Sequence, residues 1–354
     1  MRKRQRDGYG EVSGLRRALV QRRGRENTEG NTIYHFHNLA PKVYTEIGHL
    51  RLDKITPRHI QSYLLKLADT PLRRVNGTYS TSTVFKYLNL MSSVFNYATK
   101  LQLITANPCH NCYVPKKEQA ERQVYTVAEV GAFLDTIAAD AAKEPEKFYG
   151  YLMFFTLAVY TGFRKGELLG LEWDDIDYRT GIVTVSRASY YTPERGNYTD
   201  TPKSAKSLRS LKLPQEVLDK LREYQAWQCD YAKSIGDKWQ DCNRLFTAWN
   251  GTPLSPNSPG EWLRNYLGYN GLPPTTIHGF RHFNASVLIN SGVDVKTVQA
   301  CLGHSTAVTT LNVYAHSFQE QQVKAMDAVA DAIKLGSPQK NAKNKKSQQT
   351  AIIK

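Results

Sequence analysis

The chain has 354 residues, 41% of them hydrophobic, and carries a formal net charge of +15. That length suits two domains with real cores, and that charge points to a polyanionic partner without saying which. No apolar run reaches the ~18 residues of a membrane span, and the basic N-terminus lacks the apolar middle of a secretory signal, so a cytoplasmic protein with no membrane partner is expected. The cysteines are Cys109, Cys112, Cys229, Cys242 and Cys301; an odd number in a long cytosolic chain predicts free thiols. Cys109-x-x-Cys112 has metal-ligand spacing, but the second pair that would complete a zinc site is missing, so no metal is expected.

Residues 1–25 hold nine Arg and Lys against two acids, a local net charge of +7. Such a segment is either a DNA-contacting arm or a solvated leader. From Thr32 the chain becomes readable. Thr56-Pro57 predicts an N-cap followed by proline at the first helical position, and Ile60, Leu64 and Leu67 mark one helical face. After a loop over 69–80, a second helix is predicted over 81–100 with Val84, Leu88, Met91, Phe95 and Ala98 as its core stripe. Arg58 and Lys86 lie off these stripes, on faces that are solvated or could reach phosphate. Asn107-Pro108 stops the helical pattern, and 113–124 lacks any apolar period and reads as a linker.

Thr126-Val-Ala-Glu129 is a capping box, opening a helix that buries Val130, Phe133, Leu134 and Ile137. A long apolar helix follows over 146–160, and 171–177 ends that helical region. Ile182–Val185 is a short β-branched strand. The stretch 190–213, broken by Pro193, Gly196 and Pro202, predicts a small antiparallel sheet with a loop at Lys203-Ser204-Ala205-Lys206. Then come a helix over 214–231 with Val217, Leu218 and Leu221 inward, a loop over 250–260, and helices over 262–267, 276–291 and 294–302. Thr276 and Asp294 are the expected N-caps of the last two. A further helix is predicted to carry Phe318, Val323, Met326, Val329 and Ile333, and the polar, basic stretch from Ser337 is expected to be disordered. The fold class is mainly α with a small antiparallel β-sheet.

Chemistry gathers in three places along the chain. His278 and Arg281, in His278-Gly279-Phe280-Arg281-His282, are three residues apart and so share a helix face, close to a helix N-terminus that itself favours an anion. Leu302-Gly303-His304-Ser305 follows, with Tyr314 ten residues after His304. Upstream, Arg164 lies in Thr161-Gly162-Phe163-Arg164-Lys165-Gly166-Glu167, where Gly162 permits a sharp turn before a new helix. Two arginines can bind the non-bridging oxygens of one phosphodiester, histidines can bond that phosphate or move protons, and a tyrosine hydroxyl is a usable nucleophile. Glu167, one turn beyond Arg164, is an ordinary i,i+3 partner on this reading.

Arg164, the His278-x-x-Arg281 box, the Leu-Gly-His-Ser box and Tyr314, in this order and spacing, resemble the tyrosine recombinase (phage integrase) family over residues 32–334. The resemblance implies a basic N-terminal segment over 1–30, a truncated or vestigial arm-binding region in which much of the helix opening the next domain is also missing. It further implies a helical core-binding domain over 31–112, a linker over 113–124, an α+β catalytic domain over 125–334, and a basic tail over 335–354. It implies a site-specific DNA recombinase, the integrase of a prophage or integrative conjugative element.

In the resembling family Tyr314 would attack phosphorus, form a 3′-phosphotyrosyl link and release a 5′-hydroxyl. Arg164 and Arg281 would stabilise the phosphate charge, with Glu167 orienting Arg164. Lys203 would protonate the leaving 5′-oxygen, with Lys206 as the competing choice. His278 and His304 would hydrogen-bond the phosphate, His278 also helping to deprotonate Tyr314, while His282 and His316 would be structural. No cofactor is implied. The partners implied are double-stranded DNA at attachment sites, three further copies in a tetramer joined through the terminal helices, and an excisionase and a host DNA-bending protein. A topoisomerase IB-like relaxase and a truncated integrase that binds DNA without full recombination are the alternatives; a plain repressor would leave the order of the boxes unexplained.

Overall fold

A computed structural model of the chain describes residues 30–72, 77–116, 124–200, 208–303 and 329. The basic arm, the Lys203–Lys206 loop, His304, Tyr314, His316, the basic tail and, apart from Val329, the predicted terminal helix lie outside the described residues. The chain divides into two compact units, one of Met1–Arg122 with Thr192–Glu194 and one of Gln123–Tyr191 with Arg195–Lys354.

In the first unit, helices α1 (Gly30–Ile47) and α2 (Pro57–Asp69) both pack on α3 (Thr81–Lys100). The predicted stripes of α2 and α3 are buried, and Ala40, Val43 and Ile47 of α1 join them in one apolar cluster. The α1 helix corrects the expectation that little of this helix is present. Gly30, Asn31, Asn38 and an internal Pro41 are poor helix formers, but burying one face outweighs weak propensity. The predicted start of α2 holds: the Thr56 amide donates to His59 Nδ1 at 3.2 Å. Arg58 and Lys86 are exposed. Cys109 sits in this core, and burial pushes its thiol up to about 12.

The second unit is built round α5 (Pro145–Thr161), which packs on α4 (Val127–Lys143), α7 (Gln215–Ile235) and α9 (Ile277–Asn290). Met153, Phe154, Phe155, Leu157 and Ala158 are all within 1% of complete burial, as a helix apolar on every side requires. Phe133 of α4, Phe155 of α5 and Phe280 of α9 meet with ring centroids 5.2–5.6 Å apart. The capping box at the start of α4 forms as read, with the Thr126 amide 2.7 Å from Glu129 Oε2 and the Glu129 amide 3.2 Å from Thr126 Oγ1. Short helices α6 (Lys165–Gly170), α8 (Ser258–Tyr269) and α10 (Val295–Leu302) complete the described helices. Helix α8 begins at Ser258, inside the stretch read as loop, because Pro259 and Gly260, which punctuate a sequence, are tolerated in a first helical turn.

The β structure is two small sheets rather than one. Strands β1 (Ile176–Asp177), β2 (Ile182–Val185) and β5 (Arg209–Lys212) form an antiparallel sheet in the order β1-β2-β5, with Val185 opposite Arg209. Strands β3 (Ala188–Thr192) and β4 (Gly196–Asp200) pair separately. Tyr190 and Tyr198 stack across that pair at 5.7 Å, an attraction that a pattern of alternation does not reveal. Among the described residues, no helix is long and apolar enough to cross a membrane.

Candidate functional site

The site forms in the second unit, where α5, α6, β5, α9 and α10 present their ends to one another. Helix α5 stops at Gly162, which takes a left-handed φ of +60° and donates its amide to the Ala158 carbonyl. The turn through Phe163 delivers Arg164 to the start of α6. There the Arg164 amide donates to Glu167 Oε2 and its Nη1 donates to Glu167 Oε1, both at 2.8 Å. Glu167 thus closes the first turn of α6 and grips the arginine at the same time.

The carboxyl end of α10 is the hub. Helix ends leave carbonyls without intrahelical partners and carry partial negative charge. Here successive carbonyls are taken by three arginines from three other elements. Arg209 Nε donates to Cys301 O at 2.8 Å, Arg281 Nη2 to Leu302 O at 2.6 Å, and Arg164 Nη2 to Gly303 O at 2.7 Å. Arg281 also reaches back through Nη1 to the Gly162 carbonyl at 2.7 Å. The turn before Arg164 and the turn that leads into His304 are therefore bound to the same guanidinium.

Electrostatics reinforce this geometry. Arg209 makes a second pair of bonds to Glu167, Nη2 to Oε2 at 2.7 Å and Nη1 to Oε1 at 3.2 Å. Burial opposes ionisation of Glu167, but Arg209 and then Arg164 outweigh it, and the carboxyl stays below its ordinary range. Two guanidiniums pair with this carboxylate and a third, Arg281, joins them at the end of α10, so the three arginines and one glutamate carry a formal excess of two positive charges. That excess, partly shielded from water, suits an anion such as a phosphodiester.

The structure separates residues that the sequence treats alike. Arg164 has a side chain 41% exposed, while Arg281 is 2% exposed. Arg164 is accessible to a ligand, whereas Arg281 is buried and joins two turns through their carbonyls. His278 lies on the exposed face of α9, in its first turn, beyond the Thr276 cap whose Oγ1 accepts from the Gly279 amide at 3.1 Å. Its ring meets that of His282 edge to face at 4.4 Å. Lys203, His304 and Tyr314 lie outside the described residues, although His304 directly follows Gly303 in the chain. Arg209 is the residue that sequence reasoning misses. Among the described residues no cluster of three or more metal-ligating side chains is found.

Gly162 shows how tightly the site is built. An added Cβ would stand 2.5 Å from Leu302 Cδ2 and 2.9 Å from Asn284 Oδ1, at a φ that side chains disfavour. Gly162→Ala is expected to cost roughly 2–4 kcal/mol of stability through strain and overpacking. Urea unfolding would measure this, and an unchanged midpoint would show the turn to be far looser than its contacts indicate.

A profile of the phage integrase family matches residues 124–321. A XerC-like tyrosine recombinase of Caldanaerobacter subterraneus subsp. tengcongensis is 28% identical over 308 residues, covering 84% of this chain and 76% of that protein. The ICEBs1 integrase of Bacillus subtilis is 25% identical over 282 residues, covering 80% and 72%. The fold is shared with the Tn1549 transposon integrase solved in complex with a circular intermediate DNA (TM-score 0.75, 22% identity, 90% of this chain and 99% of that one). It is shared too with a lambda integrase dimer bound to a core site (TM-score 0.61, 18% identity, 85% and 94%). The family profile spans more than half of the sequence, and the chain belongs to the phage integrase family: it is a tyrosine recombinase, a DNA strand transferase.

Proposed function

We propose that this protein integrates or excises a mobile element by cutting and rejoining double-stranded DNA at specific sites through a 3′-phosphotyrosyl intermediate. The observation that carries the reading is the convergence of Arg164 and Arg281 on the end of α10, which ends two residues before His304. Tyr314, giving up its phenolic proton with the help of His278, attacks phosphorus, and its phenolic oxygen replaces the 5′-oxygen of the scissile bond. The leaving oxygen takes a proton from Lys203, the general acid, with Lys206 as the competing donor. Charge developing on the non-bridging oxygens is met by Arg164, backed by Arg281, and hydrogen-bonded by His278 and His304. Glu167 keeps Arg164 extended toward the phosphate. The phosphotyrosyl bond conserves the energy of the phosphodiester, so the 5′-hydroxyl of a partner duplex reverses the step without an energy cofactor.

One such site cuts one strand, and exchange between two duplexes needs four, so a homotetramer on two attachment sites is the working assembly. The similarity supports this: one lambda integrase structure sharing the fold is described as a tetramer bound to a Holliday junction, with a TM-score of 0.59. An excisionase and a host DNA-bending protein would set the direction of the reaction, in the cytoplasm where the DNA lies.

The test is covalent trapping of the full chain on nicked duplexes cut from both flanks of the resident element. The nick lets the cleaved fragment diffuse away, so the intermediate accumulates. The expected result is a protein–DNA adduct that survives denaturation, maps by peptide mass to Tyr314, and is absent from Tyr314→Phe. DNA binding with no adduct on any flank would instead support a protein that binds without recombining.

A further inference from the structure

We propose that Arg209 is a positioning residue for strand transfer, acting through Glu167 and the end of α10 to hold Arg164 and the approach to His304 in reacting geometry. This rests on the site assigned above. Arg209 opens β5, two residues after the segment 201–207 that contains Lys203. Its guanidinium joins α6, which carries Glu167, to the end of α10, whose carbonyls also bind Arg164 and Arg281. One edge takes Glu167 of α6 through Nη2 at 2.7 Å and Nη1 at 3.2 Å; Nε takes the Cys301 carbonyl of α10 at 2.8 Å. Its face lies 4.7 Å from the centre of the Phe163 ring, in the turn before Arg164. Gly303 allows the approach, because a Cβ there would stand 2.8 Å from Arg209 Nη1.

Stability alone is a weak reason for such a group. The pair is buried on both sides, with side-chain exposures of 6% and 4%, and buried ion pairs can often be exchanged for apolar residues without loss. What an apolar residue could not do is bind α6 and α10 at fixed separation through a planar fork. Among the charged side chains described at Glu167, Arg164 comes from its own helix and Arg209 from β5, while α10 contributes carbonyls. Without Arg209, Glu167 keeps its burial but loses the larger of its two counter-charges. Its carboxyl would then take up a proton more readily and release Arg164 as the pH falls.

The test compares wild type, Arg209→Gln, Arg209→Lys and the doubly neutral Glu167→Gln/Arg209→Gln in the full chain. The probe is the flank-derived nicked duplex, and the readouts are DNA affinity, adduct formation rate and thermal midpoint. Arg209→Gln is expected to bind DNA within ~3-fold of wild type, since affinity is spread over many phosphate contacts, yet to form adduct ~100-fold more slowly. Its rate should fall further as the pH is lowered from about 8 to about 6, a limb that wild type lacks. Arg209→Lys retains charge without the fork and should remove that acid limb while recovering only part of the rate. The double variant has no buried uncompensated charge; it should regain its thermal midpoint and still cleave slowly.

Cleavage by Arg209→Gln within ~3-fold of wild type would overturn the proposal. So would a double variant whose cleavage returns together with its midpoint, which would make Arg209 merely structural. Arg164→Ala and Tyr314→Phe run beside these: if either forms adduct normally, the assignment of the site itself has failed, and the role of Arg209 with it.

Discussion

Arg281→Ala is expected to reduce adduct formation at least ~1,000-fold and to lower stability by about 3–5 kcal/mol. The side chain is 2% exposed and its two terminal nitrogens hold the carbonyls of Gly162 and Leu302 at 2.7 and 2.6 Å. Truncation leaves both carbonyls short of a buried partner, at roughly 1–3 kcal/mol each, and opens a void beside Phe280 and the α5–α9 packing. The functional loss has a separate origin. The void removes a positive charge held out of water next to the phosphate site, and it unties the turn that delivers Arg164 from the turn that precedes His304. Arg281→Lys separates the two effects: a point charge can serve one carbonyl but not span both. It should lose less stability than alanine and nearly as much cleavage. Denaturant midpoints at unchanged slope, together with adduct rates, would measure this. An alanine variant with a wild-type midpoint and cleavage within tenfold would show that Arg281 does neither job.

Local signals carried much of this site's frame. The caps at Thr126, Thr276 and Asp294 all form, because a hydroxyl or carboxylate that satisfies nearby amides needs no distant partner. The stripes on α2 and α3 are buried, as is that on α4 except for the half-buried Leu134, for the same reason: a period is a property of neighbours. What failed to show is long-range. Nothing in Leu208-Arg209-Ser210 marks Arg209 as other than a strand residue; its burial comes from pairing with Val185 and from the approach of α10. The unequal exposure of Arg164 and Arg281 is likewise set by packing between elements more than a hundred residues apart, not by the boxes that contain them. Helix α1 hides behind Pro41 for the converse reason, its local preference being overruled by the core it joins.

Glu167→Gln is the second large effect, and pH exposes its cause. At neutral pH this variant should lose about 3–5 kcal/mol, because Arg209, 6% exposed, keeps its charge and loses its counterion. Arg164 loses its orienting carboxylate in the same step, so adduct formation should fall ~100-fold. In wild type the folded-state pKa of Glu167 lies below its ordinary value of 4.5, the pairing with Arg209 and Arg164 outweighing burial. A carboxyl whose pKa is lowered by folding stabilises the protein fully above its unfolded pKa and loses that contribution as the pH falls through the folded one. The gap between wild type and Glu167→Gln should therefore be constant through neutral pH and shrink below pH 4.5, as wild type itself becomes protonated. Urea unfolding of both proteins at steps from about pH 7 to about pH 3 would trace it. A gap that stayed the same across that range would mean that the shape of the side chain, rather than its charge, secures Arg164; a gap that closes would place the charge of Glu167 at the base of the whole arginine cluster.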